Sequence, residues 1–220
     1  METLKTVNAS MGLMVEQITP KLLETVHGHS PSKLPSLRLQ QLEWAGQLKI
    51  PFTTGILLGI GEKEEDSWHT LEAIAELEQK WHHIQEVILQ PHQLGSKQKL
   101  EVSTFPIDKL PKMVAKAREI LPNSITIQIP PNLITDPRCL LDCLEAGARD
   151  LGGISPKDEV NPDYSHLSHQ GLVDLLASKG WELVPRLPVY PHYYNWLSSS
   201  LQKALSTWNN SSHFQPLLSI

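Results

Sequence analysis

The chain has 220 residues, of which 40% are hydrophobic and 20% charged, and its 24 acidic and 19 basic residues give a net charge of −5. This balance argues against a broad nucleic-acid interface and against an anionic membrane surface. No apolar run is long enough to span a membrane, and the N-terminus lacks a signal-peptide pattern. We therefore expect a cytoplasmic globular protein of one domain, or two small ones, without a nucleic-acid or membrane partner.

The N-terminal part of the chain predicts a strand and two helices. Residues 5–11 suit a short strand that ends at Gly12, and residues 17–26 suit a helix. After a loop of small residues, Ser36 is placed to cap a second helix that could stop near Gly46.

The central part predicts strands and helices in alternation. Residues 52–58 and 86–90 read as strands, the second stopped by Pro91. Between them, residues 64–81 have the apolar spacing of an amphipathic helix. Asp108 is placed to cap a helix that runs to residue 121, and residues 125–129 alternate like a strand.

The C-terminal part continues the alternation. Asp136 and Pro137 form an N-cap and first-turn pair for a helix that ends before Gly147. The elements that follow are a strand over 149–154, a helix over 172–179, a strand-like segment over 182–185, a terminal helix over 193–208 and a frayed polar tail.

This order of elements predicts a parallel sheet. Strand and helix alternate through five units without a hairpin signal. Five units cannot close an eight-stranded barrel, so the sheet is either open or part of a barrel that begins elsewhere, and we favour the second. Residues 1–197 would form the partial barrel and residues 198–220 the helix end and tail. An unpaired edge strand near Val7 would then make the isolated chain associate.

The stretch 53–62 organises these units. An apolar strand runs into Gly59 and Gly61 and then into an acidic helix start, which suits a βα turn that opens onto a ligand site. It lacks the third glycine of a dinucleotide-binding fingerprint and the Gly-Lys-Ser/Thr of a P-loop. A tight turn in any α/β barrel explains the stretch equally well.

Several motifs together resemble one family. Residues 55–62, Gly-Ile-Leu-Leu-Gly-Ile-Gly-Glu, resemble the G-x-I-x-G-x-x-E motif on the fifth strand of radical S-adenosylmethionine (SAM) barrels, with Leu57 at the isoleucine position. Residues 37–46 resemble the helix before that strand in biotin-synthase-like members. Combined with residues 7–14, 128–132, 150–156 and 160–162, they resemble the CofG subunits of deazaflavin synthases over nearly the whole chain.

The resemblance implies a fold, a reaction and partners. The fold would be a radical SAM TIM-type barrel, here its strands four to eight plus a C-terminal helix. In CofG proteins a 5′-deoxyadenosyl radical abstracts hydrogen from an adduct of tyrosine's hydroxybenzyl group with a ribityl-bearing uracil. Ring closure and loss of ammonia give the deazaflavin chromophore, and the CofH subunit makes the adduct.

The resemblance also implies residues that bind SAM. Gly59 and Gly61 would let the adenine approach the backbone, and Asn8 and Ser10 would share one strand face. Arg38 resembles an arginine that holds the SAM carboxylate, although a solvated helix arginine is equally expected. Glu62 is expected to serve the turn rather than act as acid or base. The remaining predicted SAM contacts are Gly55, Ile56, Ile60, Gln90 and His92.

Four polar residues at the last strand ends are predicted to bind the uracil and ribityl groups: Asn132, Ser155, Lys157 and Asn161. Each alone is also compatible with ordinary loop chemistry. The catalytic base stays unassigned.

The chain departs from the family in its cysteines. Radical SAM catalysis uses a 4Fe–4S cluster on a C-x-x-x-C-x-x-C loop, but only Cys139 and Cys143 are present, inside a predicted helix. We therefore expect no metal ligands here, an absent N-terminal cluster-binding portion, and no activity of the chain alone. The histidine pairs match no zinc spacing.

Three alternatives stay open. The chain could be a non-catalytic half-barrel that serves as a binding or scaffold module, or part of another biotin-synthase-like radical SAM enzyme. It could also belong to an unrelated α/β barrel with Asp158 and Glu159 as an acid/base pair, but adjacent residues on an extended loop point apart.

Overall fold

A computed structural model describes residues 1–94, 104–154 and 167–209. Within these ranges the five strands are β1 (Met11–Gly12), β2 (Phe52–Leu58), β3 (Ile84–Pro91), β4 (Thr126–Ile129) and β5 (Asp150–Leu151). The α-helices are α1 (Glu2–Lys5), α2 (Pro35–Gln47), α3 (Glu64–Trp81), α4 (Leu110–Ile120), α5 (Pro137–Glu145), α6 (His169–Ala177) and α7 (Ser199–Asn209). None of these helices is long and apolar enough to cross a membrane.

The strands form one parallel sheet in sequential order, β1-β2-β3-β4-β5. Each strand pairs with the next along the chain, and an intervening segment that contains a helix returns the chain to the same end of the sheet. The predicted parallel α/β arrangement is therefore confirmed. The boundary proposed after residue 197 stays a prediction.

The two faces of the sheet differ in chemistry. On β2, Phe52, Ile56 and Leu58 are fully buried in the core that the sheet forms with helices α2 to α6. Thr53 and Leu57 alternate with them and are only partly buried, as is Ile88 on β3. We call this second face the lumen face, because it is the side that a closed barrel would enclose.

Several local predictions are confirmed. The bounds of β2 and α3 match residues 52–58 and 64–81, and α5 begins with Asp136 as N-cap, whose carboxylate accepts from the Arg138 N–H. The helix ends before Gly147, which has a positive φ of 118°. These elements carry strong local signals, a long periodic pattern or an Asp-Pro start.

The N-terminal strand prediction was wrong. Residues 5–11 do not form a strand: α1 occupies the first residues, Val7 is 68% exposed, and β1 contains only Met11 and Gly12. The chain then continues beside β2, where the N–H groups of Leu13 and Glu16 donate to β2 carbonyls. The edge of the sheet therefore lies at 11–16 rather than near Val7.

Three helix predictions were also wrong in part. Residues 17–26 form only a short 3-10 helix, Pro20–Glu24, which follows an extended Thr19. The Gln17 side chain donates to Leu57 O and Ser67 Oγ. Helix α2 begins at Pro35 and has no side-chain cap from Ser36. Asp108 lies inside a 3-10 helix, Ile107–Lys109, and does not cap α4.

Residues 181–190, here called the strap, contain no strand, contrary to the prediction for 182–185. Pro185 and Pro188 lack the N–H groups that a sheet ladder needs. The strap passes the amino ends of the strands, and Pro188 O accepts from both Gln85 Nε2 and Ser10 Oγ. After it, the predicted terminal helix is divided into a 3-10 helix, Pro191–Trp196, and α7.

Candidate functional site

The turn after β2 is closed by an acidic side chain. The Glu62 carboxylate accepts hydrogen bonds from the backbone N–H groups of Gly59, at 2.6 Å, and Ile60, at 2.8 Å. This geometry supports the predicted turn role of Glu62, because both carboxylate oxygens hold the turn.

Gly59 makes a close contact with protein rather than leaving a gap for a ligand. Its φ is 87°, and a Cβ placed there would lie 2.8 Å from Cβ and 2.9 Å from the backbone N of Phe105. The prediction that the adenine approaches the backbone at Gly59 is therefore corrected, because Phe105 occupies that space. Gly61, with φ of 110°, has only Leu22 Cδ2 near such a Cβ, at 3.7 Å. Gly61 therefore keeps space beside its backbone.

The first isoleucine of the motif does not line the lumen. Ile56 is fully buried on the helix-facing side of β2, so its predicted side-chain contact with adenine is wrong. Ile60 is also buried. Gly55 does lie on the lumen face, where an added Cβ would meet Met14 Sδ at 2.8 Å and Ile88 Cβ at 2.9 Å. Alternation along the strand decides this division.

A group of charged side chains lies beside the carboxyl end of β2, and we call it the carboxyl-edge cluster: Glu16, His27, Lys33 and Arg38. Glu16 is 8% exposed, has φ of 66°, and forms a parallel bridge with Ile56. Its carboxylate pairs with Lys33 Nζ and lies 3.1 Å from His27 Nε2.

Arg38 completes this cluster from α2. Its side chain is buried, and Nε donates to Ser32 O at 2.7 Å while Nη1 donates to Met14 O at 3.0 Å. Arg38 is therefore not a solvated helix arginine. Arg38, which was predicted to hold the SAM carboxylate, thus lies beside Met14, two residues after β1.

The electrostatics of the carboxyl-edge cluster favour an anion. Burial, and secondly the charge of Arg38, lowers the pKa of Lys33. Burial, opposed by a backbone hydrogen bond at Val26 and reinforced by Arg38, lowers the pKa of His27. With a neutral His27, two cations face one carboxylate. Among the described residues, Glu16 Oε2 and His27 Nε2 are buried without a hydrogen-bond partner despite their proximity.

Sequence reasoning missed Glu16, His27 and Lys33. The only local signals were a carboxylate between the predicted strand and the predicted helix, and polar residues in and just after the small-residue loop. Such residues occur in many surface loops, so the sequence did not single them out. Only the folded structure places Glu16, His27 and Lys33 near Arg38.

Asn8 and Ser10 lie at the opposite, amino end of the sheet. Asn8 Nδ2 donates to Leu4 O at 2.9 Å, and Ser10 Oγ donates to Pro188 O at 2.5 Å. Neither is in a strand, so the predicted shared strand face is wrong, and the structure does not bring them to Arg38. A short polar side chain that bonds nearby backbone competes with strand formation.

Gln90 and His92 lie at the carboxyl end of β3, next to the turn. Gln90 pairs in register with Leu57, and the His92 N–H donates to Leu58 O at 2.7 Å. Among the described residues His92 Nδ1 is buried without a hydrogen bond. The structure thus brings these two residues to the same edge as Glu16.

Asn132 lies just beyond β4, in the 3-10 helix Pro131–Leu133, and lines a small depression with Gly153, Leu167 and Leu172. The other predicted substrate residues, Ser155, Lys157 and Asn161, lie outside the described residues, as do Asp158 and Glu159.

The cysteines do not fit a 4Fe–4S cluster. Cys139 and Cys143 are buried one turn apart on α5, Cys139 Sγ donates to Ile107 O, and the chain has no third cysteine. The hydrogen bond that the Cys143 thiol donates to Cys139, together with burial, raises the pKa of Cys143 and opposes a thiolate there. In the described part of the chain no three His, Cys, Asp or Glu side chains could hold a metal ion.

Comparison with known proteins gives relatives by sequence, although no family model matches the chain. Over 208 residues, the chain is 65% identical to a 7,8-didemethyl-8-hydroxy-5-deazariboflavin synthase of Trichormus variabilis, covering 94% of this chain and 61% of the relative. The synthase of Gloeobacter violaceus is 53% identical over 205 residues, covering 93% of this chain and 63% of that protein. The chain therefore spans less than two thirds of the length of these relatives.

Solved structures share the fold. The FeFe-hydrogenase maturase HydG from Carboxydothermus hydrogenoformans matches with a TM-score of 0.68 at 20% identity, over 82% of this chain and 44% of that one. A second HydG structure gives 0.70 at 15% identity, over 94% and 46%. At this identity the likeness concerns the fold alone, and it confirms the expected partial α/β barrel.

The sequence relatives confirm the resemblance to deazaflavin synthases that the motifs predicted. The match with the Trichormus variabilis synthase covers 94% of this chain. The chain is thus a sequence relative of the 7,8-didemethyl-8-hydroxy-5-deazariboflavin synthases, and it spans 61% of the length of the Trichormus variabilis protein.

Proposed function

We propose that this chain supplies the SAM-binding and substrate-binding part of a radical SAM deazaflavin synthase. The observation that carries the proposal is the identity of 53% to 65%, over 93% to 94% of the chain, with relatives of that name. The cytoplasmic location, the hydroxybenzyl–ribityl–uracil adduct as substrate and the CofH subunit as its source are parts of the same proposal.

The carboxyl-edge cluster contains the predicted SAM contact Arg38, and it fits SAM better than the remaining predicted contacts do. Arg38 and Lys33 suit its carboxylate, because a surplus of positive charge is partly shielded from water there. Glu16 Oε2, which has no hydrogen bond among the described residues, suits a ribose hydroxyl or an ammonium group. When bound and cleaved, SAM supplies the radical that abstracts hydrogen.

The neighbouring strand ends suit the remaining polar groups. Gly61 keeps its backbone accessible, and Gln90 and His92 offer side chains at the same edge. Asn132 faces the small depression beyond β4 and stays a proposed substrate contact together with Ser155, Lys157 and Asn161. Because Asn8 and Ser10 bond at the amino end, we do not place them in this site.

The thiolate ligands of an iron–sulfur cluster would have to come from residues outside this chain. Two buried helical thiols cannot supply three thiolate ligands. We propose that the portion of the relatives' length that this chain does not span carries them.

The first experiment tests SAM binding by the chain itself, using equilibrium dialysis with labelled SAM. Arg38→Gln and Glu16→Gln should each weaken binding about tenfold, the loss expected when a charge-assisted hydrogen bond is removed. Arg138→Gln, on the exposed surface of α5, is the matched control and should bind like the unmodified chain. Equal affinities for all four proteins would remove the carboxyl-edge cluster from the site.

The second experiment tests the reaction. The chain is joined to the portion of the Trichormus variabilis synthase that precedes the matched region, and its cluster is reconstituted without oxygen. The joined protein should cleave SAM reductively and, with the CofH product, form the fluorescent deazaflavin. A joined protein that holds its cluster and binds SAM, but forms no deazaflavin, would favour the scaffold alternative.

A further inference from the structure

The amino-terminal half of the lumen face carries an ionic cluster. Strands of parallel barrels usually fill their interior with branched apolar side chains. Here Glu86 of β3 and Asp150 of β5 meet Arg186 of the strap, and we call these three residues the floor cluster. None of them takes part in the proposed SAM site, which lies at the other end of the strands.

Arg186 joins the strap to two strands at once. Its Nη2 lies 2.5 Å from Glu86 Oε1, and its Nε donates to Asp150 Oδ2. The guanidinium also stacks over the ring of Tyr190, 4.7 Å from the ring centre, and Tyr190 Oη donates to Asp150 Oδ2 at 2.8 Å. Arg186 is therefore the residue through which the strap forms ion pairs with both β3 and β5, beside the neutral contacts of Pro188 and Tyr190.

The floor cluster has a surplus of negative charge. One guanidinium faces two carboxylates, and the Glu86 and Asp150 side chains are only 4% and 12% exposed. The other groups that touch Glu86 are neutral: Thr53 Oγ1 from β2, at 3.0 Å, and Gln128 Nε2 from β4, at 2.7 Å. An uncompensated buried charge is costly, and a proton on one carboxyl group removes it.

The titration behaviour of Glu86 agrees with this charge count. Burial, and then the charge of Asp150, raises the pKa of Glu86 to about 7, although Arg186 opposes the shift. Asp150, Arg186 and Tyr190 are the charged or titratable groups that face it among the described residues.

We propose that the floor cluster is a proton-dependent latch that fastens the strap across the amino ends of the sheet. With one shared proton the cluster is neutral and the strap is closed. Loss of that proton leaves a net negative charge beneath the strap and loosens it. Gln85 and Ser10, which bond Pro188 O, are uncharged anchors that do not depend on pH. The latch does not rest on the proposed activity.

The sign of the effect follows from proton linkage. A carboxyl group with a raised pKa in the closed state stabilises that state fully below its ordinary pKa of 4.5, and this stabilisation is lost as the pH rises through about 7. For these two values, linkage raises the equilibrium constant for opening about fourfold between about pH 6.5 and pH 8.5.

Trypsin can report on this opening in the full chain. Cleavage after Arg186 requires its side chain to leave Glu86 and Asp150 and enter the protease, whereas Lys179, exposed after α6, serves as an internal reference. Mass spectrometry of short digests gives the ratio of the two cleavages. The ratio should rise about fourfold between about pH 6.5 and pH 8.5. A ratio independent of pH would overturn the latch.

Variants separate the latch from general unfolding. Glu86→Gln and Asp150→Asn each remove the surplus charge, so the cleavage ratio should become independent of pH. Tyr190→Phe keeps all three charges and should retain the pH dependence. Circular dichroism identifies any variant that does not fold, and the other carboxyl variant then decides. If a folded Glu86→Gln or Asp150→Asn keeps the full slope, the proposal is wrong.

Discussion

The two charged clusters of this protein differ in how completely they are satisfied. In the carboxyl-edge cluster, Glu16 Oε2 and His27 Nε2 have no hydrogen bond among the described residues, and positive charge is in excess. In the floor cluster, both Glu86 oxygens accept hydrogen bonds, and negative charge is in excess. Glu16 Oε2 and His27 Nε2 lie 3.1 Å apart without a hydrogen bond, so either atom can still bond a ligand, whereas a closed network suits a structural fastening.

The same contrast applies to the two arginines. Arg38 donates to backbone carbonyls and leaves Glu16 to Lys33, so an incoming anion can share its charge. Arg186 is committed to two carboxylates and an aromatic ring. The partners of a buried arginine, and not its burial, therefore assign it to a site or to the fold.

The largest expected effect tests this contrast directly. Arg186→Met should lower the free energy of unfolding by roughly 3–5 kcal/mol, because it leaves two buried carboxylates without their cation. Arg38→Met removes hydrogen bonds to carbonyls only and should cost about 1–3 kcal/mol. Urea unfolding measures both, with Arg138→Met as the surface control. An Arg38→Met loss as large as that of Arg186→Met would erase the distinction.

The next effect concerns pH. Because burial and Asp150 raise the pKa of Glu86 to about 7, the folded state takes up a proton, and its stability falls as pH rises from 4.5 through 7. Relative to Glu86→Gln, the unmodified chain should lose roughly 3 kcal/mol of unfolding free energy over that window. Glu72→Gln, exposed on α3, is the control and should keep the pH profile of the unmodified chain. Parallel profiles for the unmodified chain and Glu86→Gln would contradict the charge surplus.

The third prediction tests whether Gly59, in the turn beside the carboxyl-edge cluster, is required for stability of the fold. Gly59→Ala should cost about 1–3 kcal/mol through overlap with Phe105, in addition to the strain of a left-handed residue. Gly180 also has positive φ but has nothing within 4 Å of an added Cβ, so Gly180→Ala measures the strain alone. Equal losses in thermal unfolding would mean that the Phe105 contact is easily relieved.

The smallest predicted effect tests whether the floor cluster is a complete hydrogen-bond network. Tyr190→Phe removes one donor from Asp150 and should lower the unfolding free energy by about 1 kcal/mol. Binding of SAM should stay unchanged in this variant, because the phenol lies at the amino end of the sheet. A clear loss of SAM affinity without a loss of stability would connect the two clusters.

Much of the fold could be predicted from the sequence alone. The bounds of β2 and α3, the Asp136 start of α5 and the parallel order of the strands follow from periodicity and capping, which are local properties of the chain. The family could also be recognised, because its motifs are contiguous stretches. The prediction for Arg38 came from this resemblance.

Only the tertiary structure decided what each side chain meets. Ser10 bonds Pro188 from 178 residues away, and Arg186 reaches Glu86 across 100 residues. The turn of Gly59 is filled by Phe105, and alternation within β2 turns Ile56 toward the helices. No local pattern encodes such pairs, because the partners are distant in sequence and are brought together only when the sheet and its helices pack. For the same reason Glu16, His27 and Lys33 became a cluster with Arg38 only in the folded chain.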